Sequence, residues 1–214
     1  MGRPHQTLLS RTAIARAALE LIDDRGYEAL TMRALADRLG VRGASLYNHI
    51  GSKDDILDAV SDLLDAEIDT TPLHHTPWPE GIAAYARGYR RVFQRHPNAI
   101  ALVARRGVRT EGALKEYDTL LGTLIGAGCD PALAAETAAA LDFLVIGSAL
   151  ETYTAGFTRP PAAYRPAYPA LADSLEAAAR LDPAPTALDD RGFEFGLRMI
   201  LGGLAQQLDA ARSD

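Results

Sequence analysis

Apolar residues recur at helical spacing along nearly the whole chain, and short polar, glycine or proline stretches cut the pattern into segments. Ile14, Ala17, Ala18, Leu21 and Ile22 form a stripe behind Ser10, a favoured N-cap, and Gly26 closes this first helix. Leu35, Ala36 and Leu39 follow Thr31 as a second short stripe, Gly40 ends it, Val41 fills the corner, and Leu46 and Ile50 predict another short helix over 44–50. Ser52, with Asp54 and Asp55 in the first turn, opens a helix carried by Ile56, Leu57, Val60, Leu63, Leu64 and Ile68 to about residue 69. Residues 70–79 hold three prolines and two histidines, which predicts a loop and a domain boundary. Beyond it the pattern predicts helices over 79–95, 97–104, 110–127, 131–156, 169–181 and 189–211, with a proline-bearing loop at 158–169. No period-2 run is long enough for a strand, so the expected fold class is all-α.

Two short helices joined at a glycine that tolerates positive φ are the sequence form of a helix-turn-helix. The first helix offers its apolar face to cover them, while Arg42, Ser45, Asn48 and His49 are left outward. Those side chains suit a DNA major groove: Arg pairs with guanine O6 and N7, Asn with adenine N6 and N7, and Ser or Tyr donates to phosphate. The small Gly43, Ala44 and Ser45 allow close approach, and Thr31, Tyr47 and Lys53 stand at helix starts or flanks from which backbone is reached. With Arg33 these are the candidate DNA-contacting residues. A helical hairpin with merely solvated polar residues would show the same short pattern.

The stretch from Ser10 to Leu64 resembles the tetracycline repressor (TetR) family. The resemblance rests on Gly26, Leu30-Thr31-Met32-Arg33-Ala34-Leu35-Ala36, Leu39-Gly40-Val41, Leu46-Tyr47-Asn48-His49 and Lys53, typed positions at fixed spacing. It implies an N-terminal three-helix helix-turn-helix DNA-binding domain over 1–52, a linking helix over 53–69 and a larger helical ligand-binding and dimerisation domain over 70–214. It also implies a homodimeric, ligand-responsive transcriptional regulator, usually a repressor, whose partners are a double-stranded DNA operator and a small organic effector.

Charge is unevenly spread in a way that fits. Residues 1–53 carry eight Lys and Arg against five Asp and Glu, a net +3, whereas residues 54–214 carry fourteen against twenty-three, a net −9. Only the N-terminal segment gains from releasing DNA counterions. Cys129 is the single cysteine, which excludes an intrachain disulfide and fits a reducing cytoplasm; it reads as a small residue in a helix connection. Residues 2–6 lead into an amphipathic segment with no apolar signal region, and the apolar window 138–150 is short for a membrane span and contains Asp142. A soluble, cytoplasmic protein is expected.

The segments 132–156 and 193–208 are apolar on almost every side and so demand cover all round. Gly196, Gly202 and Gly203, with Ala134, Ala138 and Gly147, would let backbones approach. We read the two segments as a dimer interface, which agrees with the paired helices the resemblance implies.

The resemblance reaches more sparsely into the C-terminal part, through His96, Thr110-Glu111, Tyr117 and Leu150-Glu151. Residues that contact drug in the tetracycline-responsive class then fall on Tyr85, Tyr89, Thr123 and Glu151, the candidate ligand-binding set. That class's metal-binding histidine falls near Ala104, and its drug-contacting histidine has no clear counterpart among residues 70–75. No metal or cofactor is therefore expected, because an alanine methyl cannot ligate a hard cation. Tyr85 and Tyr89, with Phe93 and Phe143, would make an apolar wall with hydroxyl handles for a flat organic molecule; buried core tyrosines would read the same way. Arg105, Arg106 and Arg109 suit an anionic ligand or the surface, and His74-His75 reads as linker rather than a metal site.

Other readings stay open. No Gly-x-Ser-x-Gly elbow, phosphate-cradling glycine loop or His-Glu-x-x-His speaks for an enzyme. A helical ligand-binding protein of the same fold without operator-specific DNA binding, or an activator, shares every feature above.

Overall fold

The computed structural model describes residues 9–213 except 76, 104, 105, 107, 109, 151, 152 and 185, and at 75, 101 and 103 the backbone only. Among the described residues there are eleven α-helices and no strands, so the chain is all-α. It divides into two compact units, Met1–Ala127 and Gly128–Asp214.

The first unit opens with α1, Arg11–Arg25, capped by the Ser10 hydroxyl, which accepts from the Ala13 amide at 3.1 Å. Helices α2, Met32–Leu39, and α3, Gly43–Tyr47, follow, then α4, Lys53–Ala66. Ile14, Ile22, Leu30, Leu35, Leu46 and Ile56 are completely or almost completely buried and form one core where α1 packs on α2 and α4. The rest of the unit comprises α5, Pro72–His75, α6, Trp78–Arg95, α7, Pro97–Val103, and α8, Glu111–Ala127. Here α6 packs on α5, α7 and α8, and α4 packs on α7 and α8.

The second unit pairs α9, Pro131–Leu150, with α11, Ala187–Ala211, and lays α10, Pro169–Leu181, on a 3₁₀ turn at Pro161–Ala163. Leu141, Val145, Phe193, Leu197 and Leu204 fill the seam. The seam is tight at Gly196, where a Cβ would meet Leu144 Cδ1 at 2.8 Å. Gly147, Gly202 and Gly203 face open space instead. Of the small residues expected to admit a neighbouring backbone, Gly196 thus serves a contact within the chain. Cys129, just before α9 in the sequence, is buried, and burial followed by the charge of Asp130 pushes its thiol pKa up, away from the reactive thiolate.

Some expectations are corrected. The segment expected to be a plain loop at 70–79 contains the short helix α5, because Thr70 and Thr71 carbonyls accept from the Leu73 and His74 amides at 3.0 and 3.1 Å. Helix α3 ends at Tyr47 rather than residue 50, α4 ends at Ala66, and the last residues of the helix expected over 131–156, Thr154–Gly156, form a 3₁₀ turn instead. Helix α9, at 20 residues with a mean hydropathy of 1.6, is long and apolar enough to cross a bilayer, so the shortness of the apolar window carries no weight. It bears Glu136 and Asp142, and one of its faces is packed on α11.

Candidate DNA-binding and effector sites

Local chemistry sets the helix-turn-helix. The Thr31 hydroxyl accepts from the Ala34 amide at 3.1 Å and starts α2. Gly40 at φ +65° ends it in the left-handed conformation, and the Val41 amide returns to the Ala36 carbonyl at 3.0 Å, which turns the chain into α3. Leu46 and Ile50 are 0% and 2% exposed and anchor α3 from below. Ser52 Oγ accepts from the Asp55 amide while Asp55 Oδ2 accepts from the Gly51 amide, both at 3.1 Å, a reciprocal cap on α4.

On this scaffold Arg33, Arg42, Ala44, Tyr47, Asn48 and His49 are exposed, with Gly43, Ser45 and Lys53 half-buried and Thr31 exposed at the start of α2. The residues expected to contact DNA thus stand on α3 and its ends and at the starts of α2 and α4. Among the described residues no ion pair engages Arg33 or Arg42. Arg38, by contrast, bonds Glu20 Oε2 at 2.8 Å and Asp24 Oδ2 at 3.0 Å, and those partners raise its pKa. It is a strut between α2 and α1, whereas Arg33 and Arg42 make no such ion pair among the described residues. Sequence reasoning missed Tyr27: the Lys53 ammonium lies 3.8 Å from its ring centroid.

The joint between this head and the rest of the first unit is polar. His96 Nδ1 pairs with Asp23 Oδ2 at 2.7 Å, Asn98 Nδ2 donates to the Asp23 carbonyl at 3.0 Å, and Arg95 bonds Glu67 Oε2 at 2.7 Å. The end of α1, the residue capping α4 and the turn between α6 and α7 therefore meet at one cluster. Arg106 bonds Asp58 Oδ1 at 2.6 Å and Asp54 Oδ1 at 3.3 Å, and the Thr110 hydroxyl donates to Asp65 Oδ2 at 3.2 Å. The segment after α7 is thereby fastened along α4. Arg106 is a structural residue rather than an open anion grip; Arg105, Arg109 and Ala104 lie outside the described residues.

Tyr85, Tyr89 and Phe93 form a row one turn apart on α6, with ring centroids 5.9 and 4.8 Å apart. Tyr85 is 4% exposed, and its hydroxyl donates to the buried Glu116 Oε1 at 2.5 Å. Glu116 was missed, although a carboxylate between Ala113 and Leu120 on the apolar stripe of α8 is a visible signal. Thr123 donates to the Thr119 carbonyl at 2.9 Å and the Leu73 carbonyl at 3.3 Å, which ties α5 to α8. Phe143 is 75% exposed on α9 and is no part of a buried wall. Glu151 lies outside the described residues. Among the described residues no three His, Cys, Asp or Glu gather as a metal site.

Comparison with known proteins bears on both sites. Residues 14–60 match the family described as bacterial regulatory proteins, tetR family, and residues 71–208 match the tetracyclin repressor-like C-terminal domain. The chain is 38% identical over 142 residues to an HTH-type transcriptional regulator of Saccharopolyspora erythraea, covering 66% of this chain and 60% of that protein. It is 31% identical over 206 residues to the class C tetracycline repressor protein of Escherichia coli, covering 92% and 90%. Among solved structures, the TetR family protein ActR of Streptomyces coelicolor in complex with actinorhodin superposes with a TM-score of 0.78 at 28% identity, covering 96% of this chain and 99% of that one.

Proposed function

The chain belongs to the tetR family of bacterial regulatory proteins and is a DNA-binding transcriptional regulator of that family; we propose that it works in the cytoplasm as a homodimeric repressor released by a small organic molecule. The observation that carries the DNA reading is the exposed row of Arg42, Ala44, Tyr47, Asn48 and His49 held over the buried Leu46 and Ile50. In this reading residues 1–52 read DNA, 53–69 link, and 70–214 bind ligand and dimerise.

The dimer is supported by apolar surface. Phe143 and Leu150 on α9 and Phe195 and Met199 on α11 are large apolar side chains left exposed on two helices that pack on each other, and exposed apolar surface of this kind marks interaction sites. A second copy seated on these helices covers it. Each recognition helix α3 then enters one of two successive major grooves about 34–36 Å apart on a palindrome.

For the effector, Tyr85, Tyr89, Thr123 and Glu151 are the proposed contacts, supported by likeness to the tetracycline repressor and by the aromatic row on α6. The aromatic row suits a flat or polycyclic ligand, and ActR, at 28% identity, is solved in complex with a small molecule, actinorhodin. A ligand acts only through different affinities for two states. The bonds from Arg106 and Thr110 to α4 provide a route by which a shift after α7 moves the DNA head.

The test has three parts. Selection from random duplexes should enrich a palindrome; binding to random duplex as tight as to the best selected site refutes the regulator reading. Sedimentation should show a dimer at micromolar concentration, and a monomer that still binds one half-site tightly refutes the dimer. Titration of polycyclic metabolites with and without chelator should release DNA without metal, and Tyr89→Ala and Glu151→Ala should blunt the release. Release that requires Mg²⁺, or an intact response in both variants, refutes the proposed effector site.

A further inference from the structure

A cleft of about 190 Å³ opens inside the second unit, with Phe157, Leu175, Ala178, Ala179 and Leu188 among its lining residues. It shares no residue with the effector set proposed above. Its walls come from the residue that follows the 3₁₀ turn at Thr154–Gly156, from the second half of α10 and from the first turn of α11.

The cleft is a seam between two helices that the chain leaves unfilled. Of the thirteen residues of α10 only Ala172 is buried, and the helix is tied to α11 by the bond from Arg191 Nη2 to the Ala178 carbonyl at 2.9 Å. Leu175 and Ala178 on one wall and Leu188 on the other stay half-buried. Phe157, by contrast, is already fixed: its ring stands edge-on to Tyr153 and Tyr164, with centroids 5.1 and 6.2 Å away. An apolar floor is therefore in place before any ligand arrives.

Charge decides the class of occupant. Arg159 and Asp182 line the cleft with one charge of each sign, so no net charge calls for a counter-ion. Both are also engaged: the Arg159 guanidinium lies 4.5 Å from the Tyr164 ring centroid, and Asp182 Oδ1 accepts from the Ala184 amide at 2.9 Å. Thr154 Oγ1 is closed to solvent and presents no handle. An ion placed against these walls would lose water and gain no partner in return.

We propose that this cleft is a second small-molecule site, taking an uncharged ligand of one aromatic ring or two fused rings, and that the ligand docks α10 on α11. Size supports the class, since an apolar cavity of about 150 Å³ takes up a benzene-sized molecule.

The probes are indole and indole-3-carboxylate, titrated calorimetrically into the full chain without DNA, so the outcome is independent of operator binding. Indole should bind saturably, about tenfold or more tightly than the carboxylate, and should slow amide hydrogen exchange in α10. Ala178→Leu, which fills the cleft from α10, should weaken indole about tenfold or more with an unchanged helical circular dichroism spectrum. Ala179→Leu, at an exposed wall position, should do the same and decides the matter if Ala178→Leu does not fold. Tyr89→Ala should leave indole binding intact. No saturable binding, equal binding of the two probes, wild-type affinity in the filled variants, or loss of binding in Tyr89→Ala overturns the site. Indole that splits a dimer into monomers in sedimentation assigns the cleft to a side chain of a second copy and overturns it as well.

Discussion

The ammonium of Lys53 sits 3.8 Å from the centroid of the Tyr27 ring, so the first residue of α4 is pinned by the segment that joins α1 to α2. A cation over an aromatic face keeps its charge and loses much of its freedom, and it is presented beside α3 in one place. Lys53→Ala should lower the slope of log affinity against log salt by about one, because one phosphate contact is lost. An unchanged slope in a salt titration removes the lysine from the interface. Tyr27→Leu should keep the slope and lower stability by about 0.5–1 kcal/mol, read by urea unfolding.

Arg42 caps the start of α3 with extended backbone and no side-chain cap bond, which leaves its guanidinium available to base edges. Arg42→Ala should cost about 1–3 kcal/mol at its preferred base and flatten discrimination there. Competition binding against a set of single-base operator variants measures this. An equal loss on every variant assigns Arg42 to phosphate instead.

The Tyr85 hydroxyl and the Glu116 carboxylate, both buried, bond at 2.5 Å across α6 and α8. Tyr85→Phe keeps the ring and removes the donor to a buried carboxylate, so it should cost about 1–3 kcal/mol in chemical denaturation. A neutral substitution would show that the bond contributes nothing to folding.

Asp65 lies near the end of α4, and burial pushes its carboxyl up to about 6, against the lowering effect of the Thr110 bond and with a smaller push from Asp62. The folded pKa is above the unfolded value of about 3.9, so the folded state holds this proton more tightly. The contribution is present at low pH and is lost as pH rises through about 6. Asp65→Asn should be more stable than the parent at pH 7.5, on the order of 1 kcal/mol after allowance for solvent screening, and close to it at pH 4. Urea midpoints at the two pH values test this; an identical difference at both refutes the assignment.

Local physical chemistry already determined much of this protein. Ser10, Thr31 and Ser52 cap α1, α2 and α4 as their residue types require, and Gly40 turns the chain because only a residue without a Cβ takes its φ at no cost. The apolar stripes gave helices whose ends fall within a few residues of expectation, and the outward polar residues of α3 were readable from the same periodicity. What the tertiary structure alone decided are meetings between residues far apart in the chain, which no local pattern encodes. Whether an arginine is a strut or a DNA reader depends on which carboxylate the fold brings to it: Arg38 meets Glu20 and Asp24, Arg106 meets Asp54 and Asp58, and Arg42 meets none among the described residues. In the same way the hydroxyl of Tyr85 is taken by Glu116 and the ammonium of Lys53 by Tyr27 because packing joins elements 31 and 26 residues apart. Spacing along a helix sets which face a side chain shares, but long-range packing sets what it touches there.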